Sequence, residues 1–305
     1  MHSLLRDIEY FAAIAEYGQV QLAAEALGLS QPALSISLRR LEQSMKTKLL
    51  KRTPQGVELT NVGKALLARV SKLRLSVDDV TREIADLSGA RTGHLRIGIV
   101  AGSSLHLVPV ACETLLRDSP GVTFKLTVGD SNAMLAGVRN GEFDFAVSVI
   151  HAADYPDLAV EHTHDDTFSI YASASHRLAK RKSLTFADLA KERWVMADMN
   201  SQTAQRLRLA FSDAGQPPPT LVVETTDPTL RHHLVAGSDL LATSSTLAVQ
   251  YIAPRMDIVE LPVKGFALSR RGGVICRKDA YLPPVAFRFI EILKTTAKEI
   301  AREKR

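Results

Sequence analysis

The spacing of hydrophobic and polar positions divides the chain into three regions. Up to residue 60, apolar positions recur at helical spacing and are interrupted by tight turns. From about 60 to 88 one helical period continues without a break. From about 93 onward, short β-rich runs alternate with helical stretches, which is typical of an α/β domain. The pattern therefore predicts a small helical domain, one long helix and a larger α/β region.

The first region has the pattern of a helix-turn-helix. An apolar face that begins at Leu4 predicts a first helix ending at Gly18, and a second short helix ends at Gly28. Ser30 is a favourable N-cap for a third helix. Two helices joined by a short turn with a glycine, the second opened by a serine cap, are typical of the DNA-binding motif.

The third helix has one apolar and one polar face. Its buried stripe is predicted to consist of Leu34, Leu38, Leu41 and Met45, and its exposed face of Pro32, Ile36, Arg39, Arg40 and Gln43. Arginine and glutamine bond to base edges or phosphates, and isoleucine contacts thymine methyl groups. The net charge of +5 says little by itself, but six Lys or Arg against one acidic residue lie between Ser30 and Arg52. An ordinary solvated helix face is the alternative.

The segment 49–60 favours the DNA-binding interpretation. Two short extended runs flank Pro54-Gln55-Gly56, which predicts a hairpin with a basic edge. Such a hairpin after a helix-turn-helix is a wing. The order of these elements distinguishes the region from an isolated surface helix.

These motifs resemble the DNA-binding module of LysR-type transcriptional regulators. The resemblance rests on residues 20–63, in particular Ala23-Ala24-Glu25-Ala26-Leu27, Ser30-Gln31-Pro32-Ala33-Leu34-Ser35, Arg40-Leu41-Glu42, Lys51-Arg52-Thr53 and Val57-Glu58-Leu59-Thr60-Asn61-Val62-Gly63. It implies a transcriptional regulator that binds inverted repeats in promoter DNA as a dimer or tetramer. The DNA contacts that it implies are Gln31, Pro32, Ala33, Ser35, Ile36 and Arg52, and the helical pattern adds Arg39.

Ile36 stands where many members of the family have arginine, and this departure affects base preference. We expect Ile36 to contact thymine methyl groups rather than guanine.

The long helix carries a heptad repeat. Its apolar positions are spaced alternately by four and three residues: Leu66, Val70, Leu73, Val77, Val80, Ile84 and Leu87. A helix over 61–88 would be about 42 Å long, too long to be buried against a 60-residue domain. We predict a linker helix that pairs with a second copy and sets two recognition helices about one DNA turn apart, or a multiple of it. A core helix of the next domain is the alternative, and residues 89–93 are a predicted hinge.

The remaining chain is predicted to form an effector-binding domain of two interleaved α/β subdomains. The fold class is thus α/β: an N-terminal winged helix-turn-helix (1–60), a linker helix and hinge (61–90), and a periplasmic-binding-protein-like domain (91–305). Subdomain I would comprise about 91–162 and 266–305, and subdomain II about 163–265. Ligands of open α/β sheets bind at the carboxyl ends of the strands, so the cleft is the predicted site.

Hydroxyl-rich turns at strand ends supply the candidate effector contacts. The candidates are Ser103, Ser104, Ser131, Ser201, Gln202, Thr203 and Thr226. Backbone N–H groups and hydroxyls at helix starts bind anions, although each turn taken alone is also an ordinary helix cap. Resemblance to the family favours the turns at 102–104 and 200–203. The expected effector is a small carboxylate or sulfonate.

Enzymatic function, a cofactor and a metal site are not predicted. The sequence has no Gly-rich phosphate loop, nucleophile elbow or paired catalytic carboxylates. The spacing of His151, His162, His164 and Asp165, expected in a loop, fits no standard metal-ligand pattern. A transport-type solute-binding protein is the rival interpretation, disfavoured by the N-terminal module.

The sequence also indicates the compartment. Cys112 and Cys276 are too few for a disulfide framework and lie in apolar stretches, so we expect inert buried thiols and a reducing cytoplasm. Neither a signal peptide nor a transmembrane stretch is recognisable, so we expect a cytoplasmic protein without a membrane partner.

Overall fold

A computed structural model of the chain describes residues 2–88, 93–150, 155–197, 202–266 and 268–302. Contacts divide it into two compact units, Met1–Arg82 and Glu83–Arg305, and each is described by itself. The predicted hinge falls mainly on 89–92, which lie outside the described residues.

The first unit is a helix-turn-helix followed by a two-stranded hairpin. Its elements are α1 (His2–Tyr17), α2 (Val20–Ala26), α3 (Gln31–Ser44), β1 (Leu50–Thr53), β2 (Gly56–Leu59) and the greater part of α4 (Asn61–Leu87). Gly18 and Gly28 end the first two helices with φ of +67° and +64°, the left-handed conformation that favours glycine. The Ser30 side chain accepts a hydrogen bond of 3.3 Å from the Ala33 amide, so it caps α3 as predicted.

The core of this unit lies where α1, α2 and α3 meet. The fully buried side chains Phe11, Ile14, Leu34, Leu41 and Leu49 share one apolar cluster. The α3 stripe predicted from the sequence therefore faces the core, with Leu38 and Met45 packed at its edge. The opposite face of α3 is left to solvent.

The hairpin β1–β2 is attached to the end of α1. The Val57 amide donates a hydrogen bond of 2.8 Å to the Gly18 carbonyl. A Cβ on Gly56, whose φ is +140°, would come within 2.3 Å of that same oxygen. Glycine at 56 is therefore required both by the turn and by this close approach, and the contact fixes the wing against the helices.

The start of α4 packs tightly against the segment that precedes β1. The Thr60 hydroxyl accepts a hydrogen bond of 3.0 Å from the Gly63 amide and donates one of 2.8 Å to the Lys48 carbonyl. A Cβ on Gly63 would lie 2.1 Å from the Leu49 carbonyl oxygen. Only glycine allows the two backbones to approach this closely.

We therefore expect Gly63→Ala to destabilise the protein by about 1–3 kcal/mol, the usual cost of overpacking. The added methyl group must displace the Leu49 carbonyl, which also accepts the Thr60 amide at 3.0 Å. Urea unfolding followed by circular dichroism measures the loss. The neighbouring Lys64→Ala is the control, because Lys64 is exposed, and equal stability of the two variants would contradict the packing argument.

The second unit contains a seven-stranded sheet and a separate two-stranded sheet among its described residues. Its strands are β3 (His94–Val100), β4 (Thr123–Gly129), β5 (Phe145–Ile150), β6 (Leu158–Ser173), β7 (Arg193–Met196), β8 (Thr220–Glu224), β9 (Ala242–Ser245), β10 (Ile258–Leu261) and β11 (Leu268–Arg277). Its helices are α5 (Ala101–Ser104), α6 (Leu107–Asp118), α7 (Ser131–Arg139), α8 (Phe186–Leu189), α9 (Gln202–Asp213), α10 (Pro228–Ala236), α11 (Thr246–Ile252), a 3₁₀ turn (Ala253–Arg255) and α12 (Pro284–Arg302).

The large sheet has the order β10-β6-β11-β5-β3-β4, and β9 also pairs with β6. Strands β3, β4 and β5 are parallel, as the alternation of strands and helices predicts. Strand β11 runs antiparallel to both of its neighbours, β5 and β6. The sheet is therefore mixed, and its two long strands β6 and β11 run from the first subdomain into the second.

The polar run 162–165 lies within β6, and the expectation of a loop there is wrong. These residues pair with β11 through a register shift between Gly272 and Gly273. A Cβ on Gly272 would come within 2.2 Å of the His164 ring, so glycine makes room for this imidazole. The sequence pattern failed because ladder hydrogen bonds, rather than alternating apolar side chains, hold this stretch.

Each subdomain has its own apolar clusters. In subdomain I, side chains of β3, β5 and α6 pack on α12, with Phe145 and Phe289 fully buried. In subdomain II, Trp194 packs against Phe211 on one side of the strands, while Tyr171 lies in a second cluster on the other side. The two subdomains thus have separate cores and are joined by β6 and β11.

Candidate functional site

The N-terminal half of α3 presents the predicted DNA-contacting residues to solvent. Gln31, Pro32, Ala33, Ile36 and Arg39 are exposed, and Ile36 has 57% of its surface accessible. Ser35 is half-buried on the same part of the helix. A large apolar side chain left this exposed beside an arginine suits a partner with both methyl groups and acceptors, as a major groove offers.

Arg40 is exposed on α3 as predicted, but its guanidinium is bound to a carboxylate of α1. Its Nε donates a 2.6 Å hydrogen bond to Asp7 on α1, and its Nη2 donates to the other carboxylate oxygen. The Ser37 hydroxyl donates to Asp7 as well. Hydrogen bonding from Arg40 holds the pKa of Asp7 below its ordinary value in spite of burial. Arg40 therefore joins α3 to α1.

Glu42 fixes the connection from α3 to the wing. Its carboxylate accepts hydrogen bonds from Lys48 at 2.6 Å and from the Leu49 amide at 2.9 Å. Burial acts to raise the pKa of Glu42, but these hydrogen bonds outweigh it and the pKa is lowered. The wing that follows exposes Lys51 and Arg52. The exposed face of α3 and the basic wing are thus built on one rigid frame.

Two of the predicted effector turns belong to subdomain I. Ser103 is buried in α5, directly after β3, and Ser104 is the last residue of that short helix. Ser131 begins α7 after β4, with Asp130 as its N-cap. Because β3 and β4 are parallel, both turns lie at the same edge of the sheet.

Two further predicted turns belong to subdomain II. Ser201 lies outside the described residues, whereas Gln202 and Thr203 begin α9 after β7. Thr226 is exposed just before Asp227, the N-cap of α10, at the carboxyl end of β8. Parallel pairing of β7 with β8 places these two turns at a common edge.

A turn that the sequence reading missed links this edge to subdomain I. Ser245 caps α11, accepting from the Ala248 amide at 3.2 Å, and Thr246 exchanges hydrogen bonds of 2.9 Å with Thr167 and with Ser169. A Cβ on Gly102 would lie 3.3 Å from the Ser245 Cβ. The turns after β3 and β9 are therefore in contact. The serine-rich sequence around 244–246 was the available signal.

A partly buried ion pair lies next to this contact. Arg270 donates to Asp166 at 3.0 Å and 2.7 Å, and a Cβ on Gly102 would approach Arg270 Nη2 to 2.6 Å. Burial would raise the pKa of Asp166, but the Arg270 charge and hydrogen bonds keep it lowered. Asp166 lies on β6 and Arg270 on β11, so the ion pair joins these two neighbouring strands close to α5.

The histidines of β6 form local hydrogen bonds. His162 Nε2 lies 2.9 Å from Asp165 Oδ1, and His164 Nδ1 lies 2.8 Å from the Thr163 hydroxyl. Burial lowers the pKa of His164. His151 lies outside the described residues, and within the described part of the chain no group of three metal-ligating side chains comes together.

The two thiols are in unreactive surroundings. Cys112 is buried, and burial raises its pKa to about 11, which leaves the reactive thiolate rare at neutral pH. Cys276 is half-buried rather than fully buried, and burial raises its pKa as well. No helix in the described part of the chain is long and apolar enough to cross a membrane.

Two family models match the chain along most of its length. The model "Bacterial regulatory helix-turn-helix protein, lysR family" matches residues 5–64, and "LysR substrate binding domain" matches residues 88–298. The regulator CbbR of Rhodospirillum rubrum is 28% identical, covering 96% of this chain and 97% of CbbR. The SDS degradation transcriptional activation protein of Pseudomonas sp. (strain ATCC 19151) is 30% identical, with 92% of both chains covered.

Solved structures have the same fold. Full-length CbnR, crystallised with its target DNA, superposes with a TM-score of 0.64 at 22% identity, covering 96% of this chain and 99% of CbnR. The CcmR regulatory domain of Synechocystis PCC6803, in complex with 2-PG, superposes with a TM-score of 0.59 at 18% identity, covering 68% of this chain and 98% of that domain.

A winged helix-turn-helix followed by a two-subdomain α/β domain defines a DNA-binding transcriptional regulator with a small-molecule effector domain rather than an enzyme. The chain belongs to the LysR family of transcriptional regulators.

Proposed function

We propose that this regulator binds an inverted-repeat promoter site through α3 and the β1–β2 wing, and that a small anionic effector bound between subdomains I and II controls it. The main support for the proposed DNA binding is that Ile36, Arg39 and Arg52 are all exposed. Hydrogen bonds of Asp7 and Glu42 hold α3 against α1 and against the segment before the wing. In this proposal Gln31, Pro32, Ala33 and Ser35 complete the contact with DNA. The complex of CbnR with its target DNA supports it by analogy of fold.

The effector half rests on the turns that converge at the strand ends. Ser103 and Ser104 would contact the ligand from subdomain I together with Ser131. Ser201, Gln202, Thr203 and Thr226 would do so from subdomain II. Contact between Gly102 and the Ser245 turn supports a common cleft, and 2-PG in CcmR is a precedent for a small ligand in this fold.

Self-assembly through α4 is the third part of the proposal. The described chain leaves the heptad positions Leu73, Val77, Val80 and Ile84 exposed by 48, 58, 53 and 61%. An apolar row of this kind along one helix is covered when two copies pair. We infer a dimer through residues 61–88, which can assemble further into a tetramer.

Gel-shift titration on the intergenic DNA upstream of the gene tests the DNA half. We expect Arg52→Ala to weaken binding to all sequences and to reduce the slope of log affinity against log salt by about 1, as for one lost phosphate contact. We expect Ile36→Ala to reduce the preference for thymine at one position about fivefold or more. Arg69→Ala, an exposed arginine of α4 outside the recognition surface, is the matched control.

The outcome that contradicts the proposal is equal affinity of the wild-type protein for promoter and scrambled DNA at moderate salt. In that case the C-terminal unit should be tested as a binding protein in its own right.

A further inference from the structure

Subdomain II buries an arginine that forms no ion pair with an acidic side chain among the described residues. Arg231, on α10, has only 6% of its surface accessible. Among the described residues its Nη1 donates a hydrogen bond of 3.4 Å to the Thr225 carbonyl, and its Nε has no partner. Buried guanidinium groups are ordinarily paired with carboxylates, because an unpaired buried charge is expensive. The half-buried Arg270, by contrast, has such a partner in Asp166.

Two more unsatisfied polar atoms surround this guanidinium. The hydroxyl of Tyr171, which is fully buried, and Nε2 of His232 lack hydrogen-bond partners among the described residues. The two rings lie 5.3 Å apart. Burial raises the pKa of Tyr171 to about 12, although Arg231 acts to lower it. Burial, helped by Arg231, lowers the pKa of His232 to about 4. At neutral pH both rings are therefore neutral, and Arg231 carries the charge of the cluster.

Asp227 is the acidic side chain nearest in sequence, and it is engaged elsewhere. Its carboxylate caps α10 by accepting the amides of Thr229 at 2.8 Å and Leu230 at 3.2 Å. No ion pair joins it to Arg231 within the described part of the chain. Buried polar atoms left unsatisfied in a group call for a partner that the chain itself does not supply.

The cluster lies next to one of the candidate effector turns of subdomain II. Thr225 is the first residue after β8 and precedes the candidate effector residue Thr226. Leu105, from the end of α5 in subdomain I, packs against the same apolar cluster as Tyr171. The hydrogen bond from Arg231 to the Thr225 carbonyl therefore places the guanidinium beside a turn that holds a candidate effector contact.

We propose that Arg231, assisted by the Tyr171 hydroxyl, is the residue that recognises the acidic group of the effector, and that this group is an oxyanion such as a carboxylate, sulfonate or phosphate. The proposal rests on the proposed effector function and adds to it a residue that determines specificity. A guanidinium binds two oxyanion oxygens at once, and the phenol donates a third hydrogen bond. A neutral ligand would leave the charge uncompensated.

The test uses the full-length protein with Arg231→Met, which keeps the length of the side chain and removes the charge. In buffer that contains chloride alone, we expect its Tm to equal or exceed that of the wild type, because an unpaired buried charge is removed. Sulfate, phosphate and acetate at matched ionic strength are the probes. At an anion concentration of about ten times its Kd for the wild type, we expect a rise in Tm of about 3 °C in the wild type and none in Arg231→Met.

Arg206→Met is the matched control, since Arg206 is an exposed arginine of the same subdomain. The response of Arg206→Met also measures the general stabilisation that sulfate and phosphate confer on proteins. A large drop in Tm of Arg231→Met without anions would overturn the proposal, as would equal responses of both proteins, including no response in either. Gel shifts separate the two proposals, since Arg231→Met should bind promoter DNA like the wild type even if the anion site fails.

Discussion

Replacing Val77 with aspartate is expected to convert the regulator into a monomer and to lower its affinity for promoter DNA about 100-fold or more. Val77 lies in the middle of the heptad row on α4, and 58% of its surface is exposed in the single chain. In a paired helix, two aspartates at this position would face each other in an apolar seam, and burying like charges without partners is strongly unfavourable. A monomer also loses the gain from binding two half-sites at once, which is commonly 10²–10⁴-fold.

Light scattering coupled to size-exclusion chromatography measures the assembly, and gel shifts on the intact inverted repeat measure the affinity. Asp78→Lys is the matched control, because Asp78 is exposed on α4 next to the seam. This substitution changes the charge of the helix by more than Val77→Asp does, but it does so outside the seam. Circular dichroism must show both variants folded. If Val77→Asp remained a dimer with wild-type affinity, pairing through α4 would be refuted.

Asp7→Asn is expected to destabilise the DNA-binding unit by about 3 kcal/mol. Asp7 is 2% exposed and receives hydrogen bonds from Ser37 and from two nitrogens of Arg40. Removing the carboxylate leaves Ser37 buried with a poorer partner and takes the counter-charge from Arg40. The Arg40 side chain is half exposed, so water compensates part of its loss. Thermal and urea unfolding measure the change.

The same carboxylate predicts how stability depends on pH. Because the pKa of Asp7 is lower in the folded protein than in the unfolded chain, its stabilisation is complete above the unfolded pKa of about 3.9. It is lost as the pH falls through the folded value. We therefore expect the free energy of unfolding of Asp7→Asn to fall less steeply than that of the wild type as the pH is lowered. Part of the pH dependence should remain, since the pKa of Glu42 is lowered too.

Arg39→Ala is the control for this variant. Arg39 is exposed beside Arg40, so its loss should change stability by less than about 0.5 kcal/mol while weakening DNA binding. The two arginines should thus separate folding from recognition. A loss of stability in Arg39→Ala equal to that in Asp7→Asn would contradict this division of roles.

Local sequence signals predicted the recognition module well. The Ser30 cap, the stripe from Leu34 to Leu41 and the turn at Gly56 are each decided by neighbours within a few residues. Hydrophobic periodicity and capping act over that distance, so the helices and the wing followed from the pattern. The alternation of short β-rich runs with helical stretches also predicted the α/β class of the second unit.

Contacts distant in sequence were not predictable in this way. Arg39 and Arg40 are adjacent arginines, and the sequence does not distinguish them. Arg40 joins α3 to α1 because Asp7, on the other helix, lies within hydrogen-bond distance. The sequence alone does not single out Arg231, because its burial depends on packing beside β6, which is distant in sequence. The polar stretch of β6 was missed for the same reason, since its partner β11 lies about 100 residues further along the chain.

The place of β11 between β5 and β6 has a consequence for synthesis on the ribosome. Residues Leu268–Arg277 pair with Phe145–Ile150 and with Leu158–Phe168, strands that are made more than 90 residues earlier. The large sheet cannot close until β11 has left the ribosome, whereas the contacts within Met1–Arg82 are complete long before. The first unit can therefore fold before the large sheet is complete, and a truncation before residue 268 would leave the edges of β5 and β6 exposed to aggregation.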